Sequence, residues 1–436
     1  MRHMLTLAAA VSILLCCYCS AYCGISGYEK PDIVEEQVKL GEKYIEKGIY
    51  HFEKKAYRKA LAEFESAVEV SPQFFNARYN IARTYLAMGQ PKVAAGKLES
   101  INTDFEGNIA GYTMLGQIYA GRGEKEKAIE AFETAVANGE ALLEEVDIPQ
   151  AKVDIAMAYH NLGSMQVDSG DLEAGEENLR KSVEANDSNY FSHYALGELL
   201  VRVGKITEAK DELHKARELN FAFVETDIEL AKANLLSNPP NIMRAISILR
   251  DAIRKDPEKA EIYELLGNCY VVRKKTSEEA KRNDYAEAMK YYRDAINLDK
   301  DNPKYKVLLA RACALAGEYD TATKILEKLE KSRPELPDKI RKEIYLVEAH
   351  ILRDKEQWSE AGVRYAKVFE IDPRDYAACF EAGKCYFEAE DFQEAEKYLE
   401  MALEPFEENS EEDTPKDVKQ KLDEARKMLL EIREAR

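Results

Sequence analysis

Small and large apolar residues recur along this sequence with a constant period. Gly48 and Ala82 lie 34 residues apart, and the same interval leads on to Gly116. Each period has a small residue at its eighth position, another at its twentieth and a large apolar residue at its twenty-fourth, such as Phe64 or Phe132. A repeat of this length predicts an array of similar structural units in place of one large core.

About ten such periods follow one another, and their eighth and twentieth positions are always glycine or alanine. Only a spacer, a two-residue gap and one insertion interrupt them, so chance does not account for the register. In chain order, these small residues are Gly48, Ala60, Ala82, Ala94, Gly116, Ala128, Gly163, Gly175, Gly197, Ala209, Ala233, Ala245, Gly267, Ala288, Ala310, Ala322, Ala349, Ala361, Gly383 and Ala395.

The pattern predicts two antiparallel helices in each period. Small residues at the eighth and twentieth positions let the two helices cross at the usual distance of about 8–10 Å, and the large residue fills the space beside the crossing. Glycines such as Gly89, Gly123 and Gly170 provide permissive backbone for the turn between the helices. Prolines at the thirty-second position end the second helix, and they are Pro72, Pro257, Pro334 and Pro373.

These residues resemble the tetratricopeptide repeat family over residues 41–409. The pattern is broken by two insertions and, at the twenty-seventh position, by Ser182, Leu329 and Val368, and the fourth repeat is the weakest match. The resemblance implies an all-α fold, an α-α superhelix of about ten helix-turn-helix repeats with a C-terminal capping helix. The predicted segments after the N-terminus are a lead-in at 24–40, repeats one to three at 41–142, a spacer at 143–155, repeats four and five at 156–223, repeats six to ten at 226–409 with an insertion near 274–284, and an acidic linker with the capping helix at 410–436.

Residues 1–23 have the pattern of an export signal. Arg2 and His3 precede an apolar run at 5–15, and small residues and cysteines follow. Cleavage is expected after Ala21 or Cys23, although a lipid-modified cysteine or a retained anchor is an alternative. The apolar run is short for a membrane span. We therefore expect an exported, bacterial-type protein in the periplasm or at the outer membrane, or secreted if it is cleaved without lipidation.

The charge balance excludes some partners. Acidic residues outnumber basic ones by 81 to 62, which gives a net charge of −19. Nucleic acids and polybasic membrane contacts both require clustered Lys and Arg, so neither is expected. A basic protein partner is favoured, with affinity that falls as salt increases.

Candidate chemistry is sparse. No metalloprotease, serine hydrolase or phosphate-binding motif occurs, and the six histidines are scattered without the spacing of metal ligands. Cys379 and Cys385 are on one predicted helix and face different sides, so they cannot pair. With Cys269 and Cys313 they are expected to be small buried residues. We expect no catalytic residue, no metal and no cofactor.

The resemblance further implies that ligand contacts come from the first helix of each repeat, on the concave side. The first repeat has Ile45 and Ile49 where carboxylate-binding members have Lys and Asn, so no such clamp is expected there. The positions that correspond to ligand contacts hold Asn76, Tyr79, Asn80, Arg83, Gln117, His160, Asn161, Tyr194, Glu198, Arg202, Asn234, Glu264, Asn268, Arg311, His350, Arg353, Phe380 and Lys384.

Amides can pair with the backbone of an extended peptide, and Tyr and Arg are frequent interface anchors. We therefore expect a groove that is less acidic than the rest of the surface and holds an extended or helical segment of a partner. The alternative is that these are ordinary exposed residues on a scaffold that binds elsewhere. The expected function is a non-catalytic adaptor of the cell envelope. A regulatory subunit of an envelope glycan-synthesis complex and a periplasmic chaperone-like client binder are the alternatives.

Overall fold

A computed structural model describes residues 35–105, 107–145, 148–274, 277–333, 335–407 and 416–435. These residues form 21 α-helices and no strand. The export-signal pattern at 1–23, Pro334 and nearly all of the acidic linker lie outside the described residues. The all-α fold expected from the sequence is confirmed.

In chain order, the helices are α1 (Glu35–Glu53), α2 (Tyr57–Val70), α3 (Phe75–Ala87), α4 (Pro91–Asp104), α5 (Ile109–Gly121), α6 (Lys125–Glu145), α7 (Pro149–Ser169), α8 (Leu172–Ala185), α9 (Tyr190–Arg202), α10 (Ile206–Leu219), α11 (Val224–Leu236), α12 (Ile242–Lys255), α13 (Ala260–Val272), α14 (Glu278–Leu298), α15 (Pro303–Leu315), α16 (Tyr319–Ser332), α17 (Asp338–Asp354), α18 (Trp358–Ile371), α19 (Tyr376–Glu388), α20 (Phe392–Glu407) and α21 (Lys416–Ala435).

The chain divides into an N-terminal unit that ends at Ala233 and a C-terminal unit that begins at Asn234. Within each unit, consecutive helices pack in pairs, for example α5 on α6 and α19 on α20. Contacts that skip a helix join the first helices of neighbouring repeats, as between α5, α7 and α9 in one unit and between α15 and α17 in the other. The first helices therefore lie side by side and share one face.

The small residues lie inside the helix pairs. Every alanine of the set has no exposed surface. A Cβ atom added to Gly48 would lie 2.4 Å from the ring of Phe64, and one added to Gly267 would lie 2.4 Å from the ring of Tyr292. The large residue at the twenty-fourth position thus occupies the space that a side chain at the eighth position would need.

The turns inside the pairs share one backbone conformation. Gly89, Gly123 and Gly170 have φ of 75°, 78° and 94°, in the left-handed region that glycine adopts easily. Lys55, Glu356 and Glu390 have φ of 57°, 59° and 61° at the same position of other repeats. The turn geometry is therefore kept where the sequence lacks glycine.

Two segments that interrupt the periodicity are largely helical. Helix α7 begins with Pro149, a residue suited to a first helical position, so the second half of the predicted spacer extends the first helix of the fourth repeat. Helix α14 begins after Ser277, whose side chain accepts a hydrogen bond from the Ala280 N–H at 3.2 Å. It covers most of the predicted insertion, and Asp284 within it is buried and bonded to Arg273.

Candidate functional site

The structure separates the expected contact residues by exposure. Glu198, Arg202 and His350 are exposed. Partly exposed side chains are Arg83, Gln117, His160, Asn161, Tyr194, Asn268, Arg311, Arg353 and Lys384. The remaining ones are buried, and they are Asn76, Tyr79, Asn80, Asn234, Glu264 and Phe380.

In the second repeat, the expected contact residues serve internal packing. Tyr79 is only 7% exposed and joins a core cluster with Leu98 and Met114. The Asn80 amide donates to the backbone oxygen of Asn76 at 2.8 Å. The Arg83 guanidinium lies 4.4 Å from the centre of the Phe52 ring, so it already forms a cation–π contact within the chain. The expectation that this set is open to a partner is corrected for Tyr79 and Asn80.

In the tenth repeat, the terminal helix covers the expected contact residues. Lys384 Nζ lies 2.5 Å from Glu424 Oε1 of α21, and Lys421 of α21 lies 5.9 Å from the centre of the Phe380 ring. Apolar residues of α21, among them Leu422 and Ile432, join the same core cluster as Phe380. Helix α21 packs on α19 and α20 and takes the place that the first helix of another repeat would take.

The C-terminal unit brings basic and tyrosine side chains together. The Tyr292 hydroxyl donates to Asn268 Oδ1 at 2.8 Å, and Arg311 is close enough to act on the same hydroxyl. Partial burial of its imidazole lowers the pKa of His350, and the nearby positive charges of Arg353 and Arg311 lower it further. The first-helix face of this unit thus combines Arg311 and Arg353 with the carboxylates of Asp354 and Glu381, which lie 3.5 Å and 3.7 Å from Arg353.

The fourth repeat contributes a buried histidine nitrogen. Burial lowers the pKa of His160 to about 4, so its imidazole is neutral at pH 7. His160 Nδ1 has no hydrogen-bond partner among the described residues. The neighbouring Asn161 amide donates to the backbone oxygen of Met157 at 2.7 Å, as amides within a helix often do.

The fifth repeat and its neighbours form an aromatic and acidic surface in the N-terminal unit. The ring of Phe223 lies 5.1 Å from Tyr194 and 5.3 Å from Tyr190, centre to centre. Glu198 keeps exposed surface, yet partial burial of its carboxylate and the nearby charge of Glu229 raise its pKa, while Lys232 and a hydrogen bond from Tyr194 act in the opposite direction. Burial and the same two carboxylates also raise the pKa of Tyr194.

Sequence reasoning missed several residues of these faces. Tyr292 and Tyr365 occupy the large-residue position of their repeats, for which the sequence pattern predicts only space filling, yet the Tyr292 hydroxyl donates to Asn268 and the Tyr365 hydroxyl accepts from Arg353 at 3.4 Å. The sequence did carry a signal for these bonds, because tyrosine places a hydroxyl at a repeat position that is otherwise apolar. Phe223 lies in the turn between repeats, and no positional rule points to it.

The described residues also bear on metal binding and on membrane insertion. Within the part of the chain that the structure describes, no group of three or more His, Cys, Asp or Glu side chains is arranged to hold a metal ion. No helix among the described residues combines the length and apolar character needed to cross a membrane.

Two family models match the sequence, and both are described as tetratricopeptide repeat. One matches residues 279–338 and 352–411. The other matches residues 109–137 and 156–189. The matches fall on repeats three, four and seven to ten of the pattern.

Curated relatives match at low identity. The human protein named DnaJ homolog subfamily C member 7 is 22% identical over 363 residues, which are 79% of this chain and 70% of the relative. The chicken protein named DnaJ homolog subfamily C member 3 is 21% identical over 431 residues, which are 94% of this chain and 72% of the relative.

Solved structures give a similar result. Yeast Tom70 is 16% identical, with a TM-score of 0.43, and the match covers 91% of this chain and 92% of that one. The TPR domain of P58(IPK) is 18% identical, with a TM-score of 0.31, and covers 90% and 98%. A third match, from a study of Pseudomonas aeruginosa pilF, is 14% identical, with a TM-score of 0.46, and covers 54% and 100%.

Proposed function

The chain is a tetratricopeptide repeat protein, and from that premise we propose that it is a non-catalytic scaffold that binds a segment of a protein partner on its first helices. The observation that carries this proposal is the side-by-side contact of α5, α7 and α9. On this basis we assign to one row the accessible polar and aromatic side chains of these helices, which are Gln117, Asn161, Tyr194, Glu198 and Arg202.

The chemistry of this row suits a peptide. Amides and hydroxyls pair with backbone groups of an extended or helical segment, whatever its sequence. Tyr and Arg bury large areas at interfaces and are common energetic hot spots. The opposite sides of the same helices are packed with small and apolar residues, such as Ala158 and Gly197, so only the open side is available to a partner.

Site-specific photo-crosslinking tests the proposal. A photoreactive amino acid placed at Gln117 or Arg202 samples the first-helix face, and the same group at the exposed Glu133 or Asp211 samples the second helices α6 and α10. We expect a discrete crosslinked partner from the first two positions and much less from the controls. Equal crosslinking from all four positions, or crosslinking from the controls alone, contradicts the proposal.

We further propose that the protein acts in the cell envelope. The support is the basic start, the apolar run at 5–15 and the small residues before residue 24. Mass spectrometry of the mature N-terminus distinguishes the possibilities. A free N-terminus at Tyr22 or Gly24 is the expected result, a diacylated cysteine indicates a lipoprotein, and an intact Met1 in mature protein contradicts signal cleavage.

A further inference from the structure

We propose that the first-helix face of repeats four to six binds a basic segment of the partner and seats a Lys or Arg side chain beside Tyr194 and Glu198. We call this surface the acidic-aromatic face and define it by Asp168, Tyr190, Tyr194, Glu198, Phe223 and Glu229. The inference rests on the proposed function and adds the chemical class of the bound segment.

The aromatic part of the face presents ring surface to a cation. Phe223 lies between Tyr190 and Tyr194 with interplanar angles of 64° and 85°, so the two tyrosines meet it edge to face. Tyr194 stays partly exposed in this arrangement. Ammonium and guanidinium groups are attracted to the faces of such rings at distances within about 6 Å.

The acidic part of the face has more carboxylates than cations. Glu229 is buried and forms an ion pair with Lys232, with 2.7 Å between Oε1 and Nζ. Glu198 and Asp168 are exposed, and neither carboxylate forms an ion pair within the described part of the chain. Glu229 and Asp168 both act on Glu198 with like charge, whereas Lys232 and a hydrogen bond from Tyr194 act in the opposite direction. Because Lys232 is already paired with Glu229, three carboxylates share one cation, and a second cation from outside the chain would relieve the remaining repulsion.

The first-helix face of the other unit has no such surplus of carboxylates. Arg353 is paired there with Asp354 at 3.5 Å and with Glu381 at 3.7 Å, and the charge of Arg311 acts nearby, where it helps to lower the pKa of His350. A basic segment therefore finds a complementary surface on the N-terminal unit and a charge-balanced one on the C-terminal unit. Complementary potentials of this kind decide which of two otherwise similar surfaces a charged segment selects.

Selection from a peptide library tests the inference. Full-length protein selects from random 12-residue peptides on beads, and the selected peptides are sequenced. We expect enrichment of Arg and Lys, loss of that enrichment with Glu198→Gln, and no loss with Glu133→Gln, which removes an exposed charge from helix α6. Basic enrichment that survives Glu198→Gln overturns the inference, because general attraction to an acidic protein then explains it.

The outcomes also separate this inference from the proposed function. Enrichment of neutral or acidic peptides leaves the proposed function intact and overturns only the inference. Absence of any enrichment, together with absence of crosslinks from the first-helix face, overturns both. Binding of a second copy of the chain, detected by light scattering, also contradicts the basic-segment assignment.

A selected peptide then allows the ring contribution to be measured by fluorescence anisotropy. We expect Tyr194→Leu to weaken binding about tenfold and Tyr194→Phe to keep most of the affinity, since a phenyl face still attracts a cation. Asp211→Asn, which removes an exposed charge from the second helix α10, should leave affinity unchanged. Equal affinity of the Leu and Phe variants, with unchanged circular dichroism, rules out a cation seat beside Tyr194 and Glu198.

Discussion

Individual residues in this chain are constrained mainly by the space between paired helices. Gly267 illustrates this, because its neighbour Tyr292 is fully buried and its ring occupies the place of a Cβ atom. Gly96 is the contrasting case, since it lies on helix α4 with no atom near the position of an added Cβ. The same substitution therefore has opposite effects at the two positions.

We expect Gly267→Ala to lower the free energy of unfolding by about 1–3 kcal/mol, because the ring of Tyr292 must move within a packed core. Gly96→Ala should raise it by about 0.5–1 kcal/mol through helix propensity alone. Urea denaturation followed by circular dichroism measures both. A stabilising effect at Gly267 contradicts the packing described for the eighth position.

A buried histidine predicts a pH-dependent contribution at the residue scale. His193 Nδ1 lies 2.7 Å from Glu212 Oε2, and Nε2 lies 3.0 Å from the backbone oxygen of Asp187. Burial lowers the pKa of His193, but these partners outweigh it and the net pKa is raised. The stabilising contribution is therefore complete below the unfolded pKa, and it is lost as pH rises through the raised pKa of the folded state.

We expect the midpoint of urea unfolding to fall more in the wild type than in His193→Gln as pH rises from about 6 to 9. The difference between the two curves isolates His193 from other groups, including Lys215, which lies 3.1 Å from Asp187. Parallel curves for the two proteins contradict this assignment.

At the scale of helices, the terminal helix closes the last repeat. Helix α21 has one apolar side, where Ala425 and Ile432 have no exposed surface, and one polar side, where Leu430 is 59% exposed. It covers apolar residues of α19 and α20 that an open array would leave in water. Repeat arrays need such a polar outer surface at their ends.

We expect Ile432→Ala to cost about 2–4 kcal/mol, since it leaves a cavity between α21 and α20. Leu430→Ala on the same helix should change stability by less than about 0.5 kcal/mol. In a repeat array, the stability of one repeat depends mainly on its direct neighbours. Amide hydrogen exchange should therefore increase in α19–α21 and stay unchanged in α1–α6. Increased exchange throughout the chain contradicts this local coupling.

For the whole molecule, the net charge of −19 predicts how binding responds to salt. Salt screens electrostatic attraction beyond roughly 10 Å at 0.1 M ionic strength and beyond a much shorter distance at 1 M. We expect affinity for a basic peptide to fall about tenfold between low and physiological salt, mostly through slower association. Stopped-flow measurements at several NaCl concentrations test this, and an unchanged association rate contradicts it.

Much of the fold follows from the sequence because its determinants are local. The interval of 34 residues places small side chains at each helix crossing, as at Gly48 and Ala60, and steric exclusion alone then specifies the pairing. The turn at Gly123 is likewise readable from its residue type. The extension of α7 back to Pro149 is not, since a spacer without the repeat pattern carries no such marker.

Which side chains stay exposed on the proposed binding surface depends on tertiary structure. Tyr79 and Tyr194 occupy the same position of two repeats, yet Tyr79 packs among Leu98 and Met114, whereas Tyr194 stays partly open beside Glu198. By itself, the sequence determined which helices pair and which of their sides face inward, because both depend on side-chain size at fixed spacing. Exposure and charge on the open side depend on side chains that neighbouring repeats bring into contact, and only the folded chain brings them there.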